Sequence, residues 1–209
     1  MGVVLVVGLA LLAGASVLHP MLDGDAATQL RVIAAARDWR AIHLAMLTGS
    51  ACVIVGLWAR VALDHSARVS PTLIGILAVL SIGLAINALD AAFMVGAGAR
   101  MAARFAAGDA SMVAIFDATH QIGLASARFG NILVALAALV LGAVEWRDRA
   151  TDYAPIRAGL AWLAGIGGVV GVVFFDDGSR LILAAVALLS GWQLAVAIQA
   201  LRTGGPKRN

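Results

Sequence analysis

Six apolar stretches, each near the length needed to cross a lipid bilayer, constrain the fold of this chain more than any other feature. They cover residues 3–18, 41–63, 72–97, 118–144, 158–175 and 180–201. A spanning helix needs about 20 residues to cross a ~30 Å hydrocarbon core. Backbone groups in lipid must be satisfied within the segment, and these stretches lack the alternation typical of barrel strands. We therefore expect an all-α, polytopic integral membrane protein, folded as a single domain over residues 1–209 into a six-transmembrane-helix bundle.

The composition agrees with a chain that is solvated by lipid. Of its 209 residues, 62% are hydrophobic and 13% are charged, and the mean hydropathy is +0.95. A soluble domain has about half apolar residues and about a quarter charged residues. The net charge is +3, but the basic residues are scattered at segment ends, with a short tail at Lys207-Arg208. This distribution indicates contact with membrane lipid and argues against nucleic-acid binding.

Two long connections on the same side of the predicted bundle contain amphipathic sequence. The first, residues 21–40, has Asp25 at a capping position and places Leu30 and Ile33 on one face. The second, residues 99–117, mixes methionine and phenylalanine with charged residues. Both predict short interfacial helices that form a lid over one end of the bundle. The opposite connections are short and charged.

The basic residues also bear on orientation. Slightly more Lys and Arg residues lie in the connections and the tail on the side of the termini than on the lidded side. Cytoplasmic loops carry an excess of Lys and Arg, so we expect cytoplasmic N- and C-termini in a bacterial inner membrane. The first stretch has an alternative interpretation as a cleaved signal peptide, with Ala13-Gly14-Ala15 resembling a cleavage site. However, no basic residue precedes the apolar run.

Three histidines and a carboxylate converge on the lidded side. His19 ends the first predicted span, and His43 and His120 lie one turn into the second and fourth. Asp90 lies inside the third span, about 10 Å deeper at 1.5 Å per residue. Ionisable groups are costly in lipid and are usually kept for function, so these four residues are the candidate metal ligands. Ordinary interfacial histidines are the alternative, because the spacing has no local metal-binding signature.

The type of metal is suggested by the methionines. Apart from Met1, all of them lie in the lid or in the adjacent helix ends. Thioether sulfur is a soft ligand for copper, and methionine is also an axial ligand of haem iron. We therefore rank copper and haem iron above zinc, with His43 and His120 as the principal ligands. Methionine as a filler of irregular gaps under a lid is the competing interpretation.

A second polar set runs through the third and fourth predicted spans. Asn87 and Asp90 are three residues apart and share a helix face, and Arg128 and Asn131 share a face of the next helix. Arg128 lies deep in its span, where an unpaired charge is expensive, so Asp90 is its expected partner. The set predicts either a buried polar pair that aligns two helices or a relay leading inward from the histidines.

Small residues mark the fifth predicted span as a packing helix. Gly167 and Gly171 have the four-residue spacing that lets two membrane helices approach closely, within the chain or in a homo-oligomer.

Two functions follow as hypotheses. The first is a membrane protein with a metal- or haem-binding His/Asp cluster near its outer face and a redox or metal-handling role. The second is a non-catalytic accessory or assembly subunit of a larger membrane complex, which needs no ligand. The sequence contains no motif that specifies a catalysed reaction.

Overall fold

A computed structural model of the chain describes residues 2–63, 71–148 and 154–174, together with residues 188, 189, 191 and 192. These parts are helical except for short connections and contain no strand, as the all-α prediction requires. The helices are α1 (Gly2–Leu18), α2 (Ala26–Ala35), α3 (Trp39–Leu63), α4 (Pro71–Phe93), a π-helical segment (Met94–Gly98), α5 (Ala99–Ala106), α6 (Met112–Asp148) and α7 (Ala154–Phe174).

Four stretches of helix are long and apolar enough to cross a membrane. They are Trp39–Ala59, Pro71–Ala106, Met112–Arg147 and Ala154–Phe174, with mean hydropathies between 1.7 and 2.3. Membrane embedding is therefore supported by the structure. Helix α1 is equally apolar in character but has 17 residues. Most of the sixth predicted span, residues 180–201, lies outside the described residues.

The connection predicted over residues 99–117 differs from expectation. Instead of lying separately in the interface, α5 continues from α4 through the π-helical segment, and the run Pro71–Ala106 forms one helix of 36 residues. At 1.5 Å per residue this helix is about 54 Å long, which exceeds the ~30 Å hydrocarbon core. Helix α6 begins at Met112, six residues before the predicted span, so the turn between the two long helices covers only residues 107–111.

The apolar helices pack in a row in which each contacts the next: α1 against α3, α3 against α4, α4 against α6, and α6 against α7. The main core between them contains Leu5, Val53, Leu80 and Val134. Leu189, in the predicted sixth span, is also buried in this core.

A second core lies under the lid. Leu30 and Ile33 of α2 pack with Met94, Met112 and Phe116, and all five are nearly inaccessible to solvent. The predicted lid helix in residues 21–40 is therefore present as α2, and Asp25 caps it by accepting a hydrogen bond from the Thr28 amide at 2.8 Å. The lid closes over the end of the bundle to which His19 and His43 belong.

Glycines bring the α6 and α7 backbones together. A Cβ on Gly165 would lie 2.8 Å from the Ala135 carbonyl oxygen, and one on Gly168 would lie 3.0 Å from the Ala135 Cβ. Gly167 instead faces Leu188, and Gly171 is buried. Small residues of α7 therefore line the contact with α6, and the packing role of Gly167 and Gly171 stays a prediction.

Candidate functional site

His19 and His43 meet beneath the lid. Their Nε2 atoms lie 3.2 Å apart, although the residues are 24 positions apart in sequence. His19 follows the last residue of α1, and His43 lies one turn into the antiparallel α3, so the packing of α1 on α3 places both rings at the same end. His43 is 2% exposed, and His19 is half-buried. This part of the predicted cluster is thus brought together in the structure.

The proton positions on the two rings follow from a backbone contact. His43 Nδ1 lies 2.8 Å from the carbonyl oxygen of Trp39. A carbonyl oxygen only accepts hydrogen bonds, so Nδ1 is the protonated nitrogen. In the neutral imidazole, the Nε2 lone pair of His43 then faces the Nε2 atom of His19. The Trp39 carbonyl therefore fixes both the orientation and the tautomer of His43, as outer-sphere partners of metal-ligating histidines do.

Trp39 was not among the candidate site residues, yet it connects the histidines to the π-helical segment. Its ring centroid lies 4.3 Å from that of His43 and 5.1 Å from that of His19. Its indole Nε1 donates to the Met94 carbonyl oxygen at 3.2 Å, and the residue is 2% exposed. The signal for this role in the sequence was the four-residue spacing of Trp39 and His43, which stacks them on one helix face.

His19 is held in its uncharged form at neutral pH. Burial is the main cause that lowers the pKa of the His19 imidazole to about 4, and the neighbouring charge of His43 lowers it further. His120 adds a smaller effect in the same direction, and the backbone of Pro20 opposes it. Neutral imidazole is the form that binds metal ions, so a bound metal need not displace a proton from His19.

His120 lies near this pair within an aromatic setting. It is 5% exposed, and its ring centroid is 4.8 Å from that of Phe116 and 6.3 Å from that of Phe93, on which it is stacked. It contributes to the electrostatics of His19. Among the residues that the structure describes, however, no three His, Cys, Asp or Glu side chains are grouped closely enough to hold a metal ion. The pair His19–His43 is therefore the preformed part of the predicted site.

Asp90 packs against a glycine of α6. A Cβ on Gly123 would collide with Asp90 Oδ1, so the absence of a side chain at Gly123 makes room for the carboxylate. Gly123 lies three residues after His120, which places Asp90 and His120 on the same side of the α4–α6 contact.

The amides of the second polar set do meet. Asn87 Nδ2 donates to Asn131 Oδ1 at 2.9 Å and to the Ala127 carbonyl oxygen at 3.4 Å. This contact coincides with the closest approach of α4 and α6, where a Cβ on Gly130 would lie 2.5 Å from the Gly83 carbonyl oxygen. Interhelical amide bonds of this kind stabilise contacts between membrane helices.

Arg128 reaches a different neighbour. Its Nη1 donates to the Val172 carbonyl oxygen, near the end of α7, at 3.4 Å. Gly123, which faces Asp90, and Arg128 are five residues apart on α6, which corresponds to about 140° around the helix at 3.6 residues per turn. Gly123 therefore contacts α4, and Arg128 contacts α7, which packs on a different side of α6. The Asp90–Arg128 ion pair stays a prediction.

Known proteins offer no guide to this site. No family model matches the chain, and neither a curated protein nor a solved structure matches it.

Proposed function

We propose that this protein binds a transition-metal ion at His19 and His43 and handles that ion at the lidded membrane face. The approach of the two Nε2 atoms to 3.2 Å is the observation that carries the proposal. Two imidazole nitrogens at about 2.0–2.1 Å from a tetrahedral ion are themselves about 3.3 Å apart. A rotation of the rings that turns both lone pairs toward one point would admit the ion.

The small number of protein ligands supports reversible binding of the metal ion, with ligand exchange, rather than a permanent structural site. A structural metal site supplies all four ligands from the protein, whereas sites that exchange a ligand keep a position open. Here His19 and His43 would supply two nitrogens, and His120 is the candidate for a third ligand. The remaining positions are left for water or for an incoming donor.

Copper and haem iron lead the candidate metals, with zinc below them. Met94, whose carbonyl oxygen accepts from Trp39, is buried in the lid core and carries a thioether, which is a soft donor. A haem would be held by His43 and His120, the principal ligands expected from the sequence, and would supply redox chemistry at this face.

Elemental analysis by mass spectrometry on detergent-purified protein tests the proposal. We expect about one metal ion per chain, and loss of that ion in the His19→Ala/His43→Ala double variant. His65→Ala is the matched control, because it removes a histidine from the opposite connection and should keep the metal. Iron in the sample would be followed by an absorption spectrum for haem.

The opposite result has a defined meaning. If the purified protein holds no metal above background after growth with added copper, iron and zinc, the histidine pair is a packing contact. The accessory-subunit function would then lead, and co-purification from cross-linked membranes would identify the other subunits.

We also propose six spans with both termini in the cytoplasm. Helix α1 packs along α3, and Gly8 and Gly49 allow their backbones to meet, so α1 belongs to the bundle. At its other end, Leu189 and Trp192 are helical and buried in the main core, as expected of a sixth span against α7.

Cysteine labelling distinguishes six spans from five. In a Cys52→Ala background, we would place single cysteines at Ala110 in the lid turn, at Ser66 and at Thr203. An impermeant maleimide added to spheroplasts should label the first alone, and should reach the other two only after permeabilisation. Labelling of position 203 together with position 110 would contradict the six-span topology.

A further inference from the structure

An open cleft lies beside the π-helical segment on the lidded side, away from the histidine pair. It has a volume of about 720 Å³ and is lined by Gly96, Arg100, Met101, Arg104, Met112 and Ile115. Its lining combines apolar side chains of α5 and α6 with two guanidinium groups. The cleft therefore offers apolar and cationic surfaces side by side.

The two arginines differ in what they already bind. Arg104 donates to Asp109 Oδ2 at 2.5 Å, so its charge is partly balanced. Arg100 is exposed, and no acidic side chain pairs with it in the part of the chain that the structure describes. Arg100 thus presents a positive charge at the mouth of an apolar cleft.

The position of the cleft along the helix identifies its surroundings. Arg100 lies about 44 Å along the helix from Pro71 at 1.5 Å per residue, past the ~30 Å hydrocarbon core, so it falls in the headgroup region on the lidded side. Ile115, which forms one wall, is 44% exposed and faces outward from the bundle. A ligand that enters from the bilayer can therefore place its apolar part on this wall and its headgroup on Arg100.

We propose that this cleft is a binding site for one anionic phospholipid of the lidded leaflet. The phosphate lies against Arg100, with Arg104 on its flank, and an acyl chain runs over Met101, Met112 and Ile115. Arginine matches phosphate oxygens with two parallel N–H donors, and a basic residue near an anionic membrane surface contributes about 1 kcal/mol.

Native mass spectrometry of protein released from nanodiscs tests this site. We expect one retained phosphatidylglycerol per chain and no comparable retention of phosphatidylcholine. Arg100→Gln should reduce retention about five-fold, the ratio that corresponds to the contribution of one basic residue. Arg37→Gln is the matched control, because Arg37 is an exposed arginine of the same side that does not line the cleft.

A second variant tests the apolar half without a change in charge. No atom lies within 4 Å of a Cβ built on Gly96, so Gly96→Leu extends into the open cleft without a clash. It should displace the acyl chain and lower phosphatidylglycerol retention while both arginines remain.

Three results would overturn the proposal. An equal loss of phosphatidylglycerol retention in Arg37→Gln and Arg100→Gln would indicate that general surface charge, rather than the cleft, holds the lipid. Unchanged retention in Gly96→Leu would show that the acyl chain does not occupy the cleft. Displacement of the lipid by inorganic phosphate alone would indicate a site for a free anion instead.

Discussion

Asn87 and Asn131 satisfy each other in the part of the bundle where water is scarce, and their pairing can be measured. Interhelical side-chain bonds in membrane proteins contribute about 0.6 kcal/mol on average and reach about 1.7. We expect a double-mutant cycle of Asn87→Ala and Asn131→Ala to give a coupling energy in this range, measured by reversible unfolding in mixed micelles. Strictly additive effects of the two variants would show that the 2.9 Å contact does not stabilise the α4–α6 packing.

The stability of the first turn of α2 depends on pH through Asp25. Hydrogen bonds from Thr28 lower the pKa of the Asp25 carboxyl below its ordinary value. A group with a lowered pKa in the folded state stabilises it at neutral pH, and this stabilisation is lost as the pH falls through the lowered pKa. We therefore expect the first-turn amides of α2 to exchange faster on acidification below about pH 3.9, after correction for intrinsic rates.

Asp25→Asn provides the control for this effect. The asparagine side chain keeps an oxygen that accepts from the Thr28 amide but does not titrate over this range. In Asp25→Asn, the exchange rate of the α2 amides should not rise on acidification. A rise as large as in the unmodified protein would assign the effect to another titrating group.

The protonation of the two histidines depends on one backbone carbonyl and on burial. The Trp39 carbonyl sets the tautomer of His43, and the burial of His19 holds its imidazole neutral. The residue types were visible in the sequence as candidate ligands. Which two of the three histidines meet was not, because that depends on how the ends of α1 and α3 are aligned.

At the scale of helices, glycine positions set how closely α4 and α6 approach. A Cβ on Gly130 would lie 2.5 Å from the Gly83 carbonyl oxygen and 2.6 Å from the Asn87 amide nitrogen. Both are backbone atoms of α4, which cannot rotate away. We expect Gly130→Ala to destabilise the bundle by about 1–3 kcal/mol, measured by unfolding in mixed micelles.

Gly75→Ala is the matched comparison within α4. No atom lies within 4 Å of a Cβ at Gly75, so alanine adds helix propensity without a clash. This variant should be neutral or slightly more stable. Equal losses of stability in Gly130→Ala and Gly75→Ala would indicate that close packing at Gly130 does not cause the destabilisation.

The helix boundaries show how far pattern reasoning extends. The starts and ends of α3 and α7 lie within a few residues of the predicted spans, because apolar runs and their flanking charges are local features. The continuation of α4 into α5 was missed. Amphipathic sequence in residues 99–117 is compatible with a separate interfacial helix, whereas the contact of Trp39 with the Met94 carbonyl, which helps to hold the π-helical segment, is visible only in the structure.

At the scale of the whole molecule, the bundle core and the lid core are separate clusters of buried residues. We expect Leu30→Ala, which empties a fully buried position under the lid, to raise hydrogen exchange in α2 and α5 while α6 residues 130–142 stay protected. Leucine-to-alanine changes at buried sites cost about 2–5 kcal/mol. A lid opened in this way should also release bound metal faster.

Val134→Ala is the contrasting variant, because Val134 belongs to the bundle core and is 1% exposed. It should lower the protection of the spanning helices and leave the lid amides less affected. If Leu30→Ala loosened the bundle as much as the lid, the two cores would be one cooperative unit.

The membrane class, the helical fold and the candidate residues were determined by the sequence alone, since apolar runs and ionisable residues within them are local properties. The tertiary structure decided which of those residues meet. His19 joins His43 across 24 positions, and Asn131 turns to α4 while Arg128, three residues away, turns to α7. Because α6 lies between two helices, positions about 60° apart on its surface have different partners. Such contacts depend on how whole helices are aligned and packed, which no stretch of a few residues encodes.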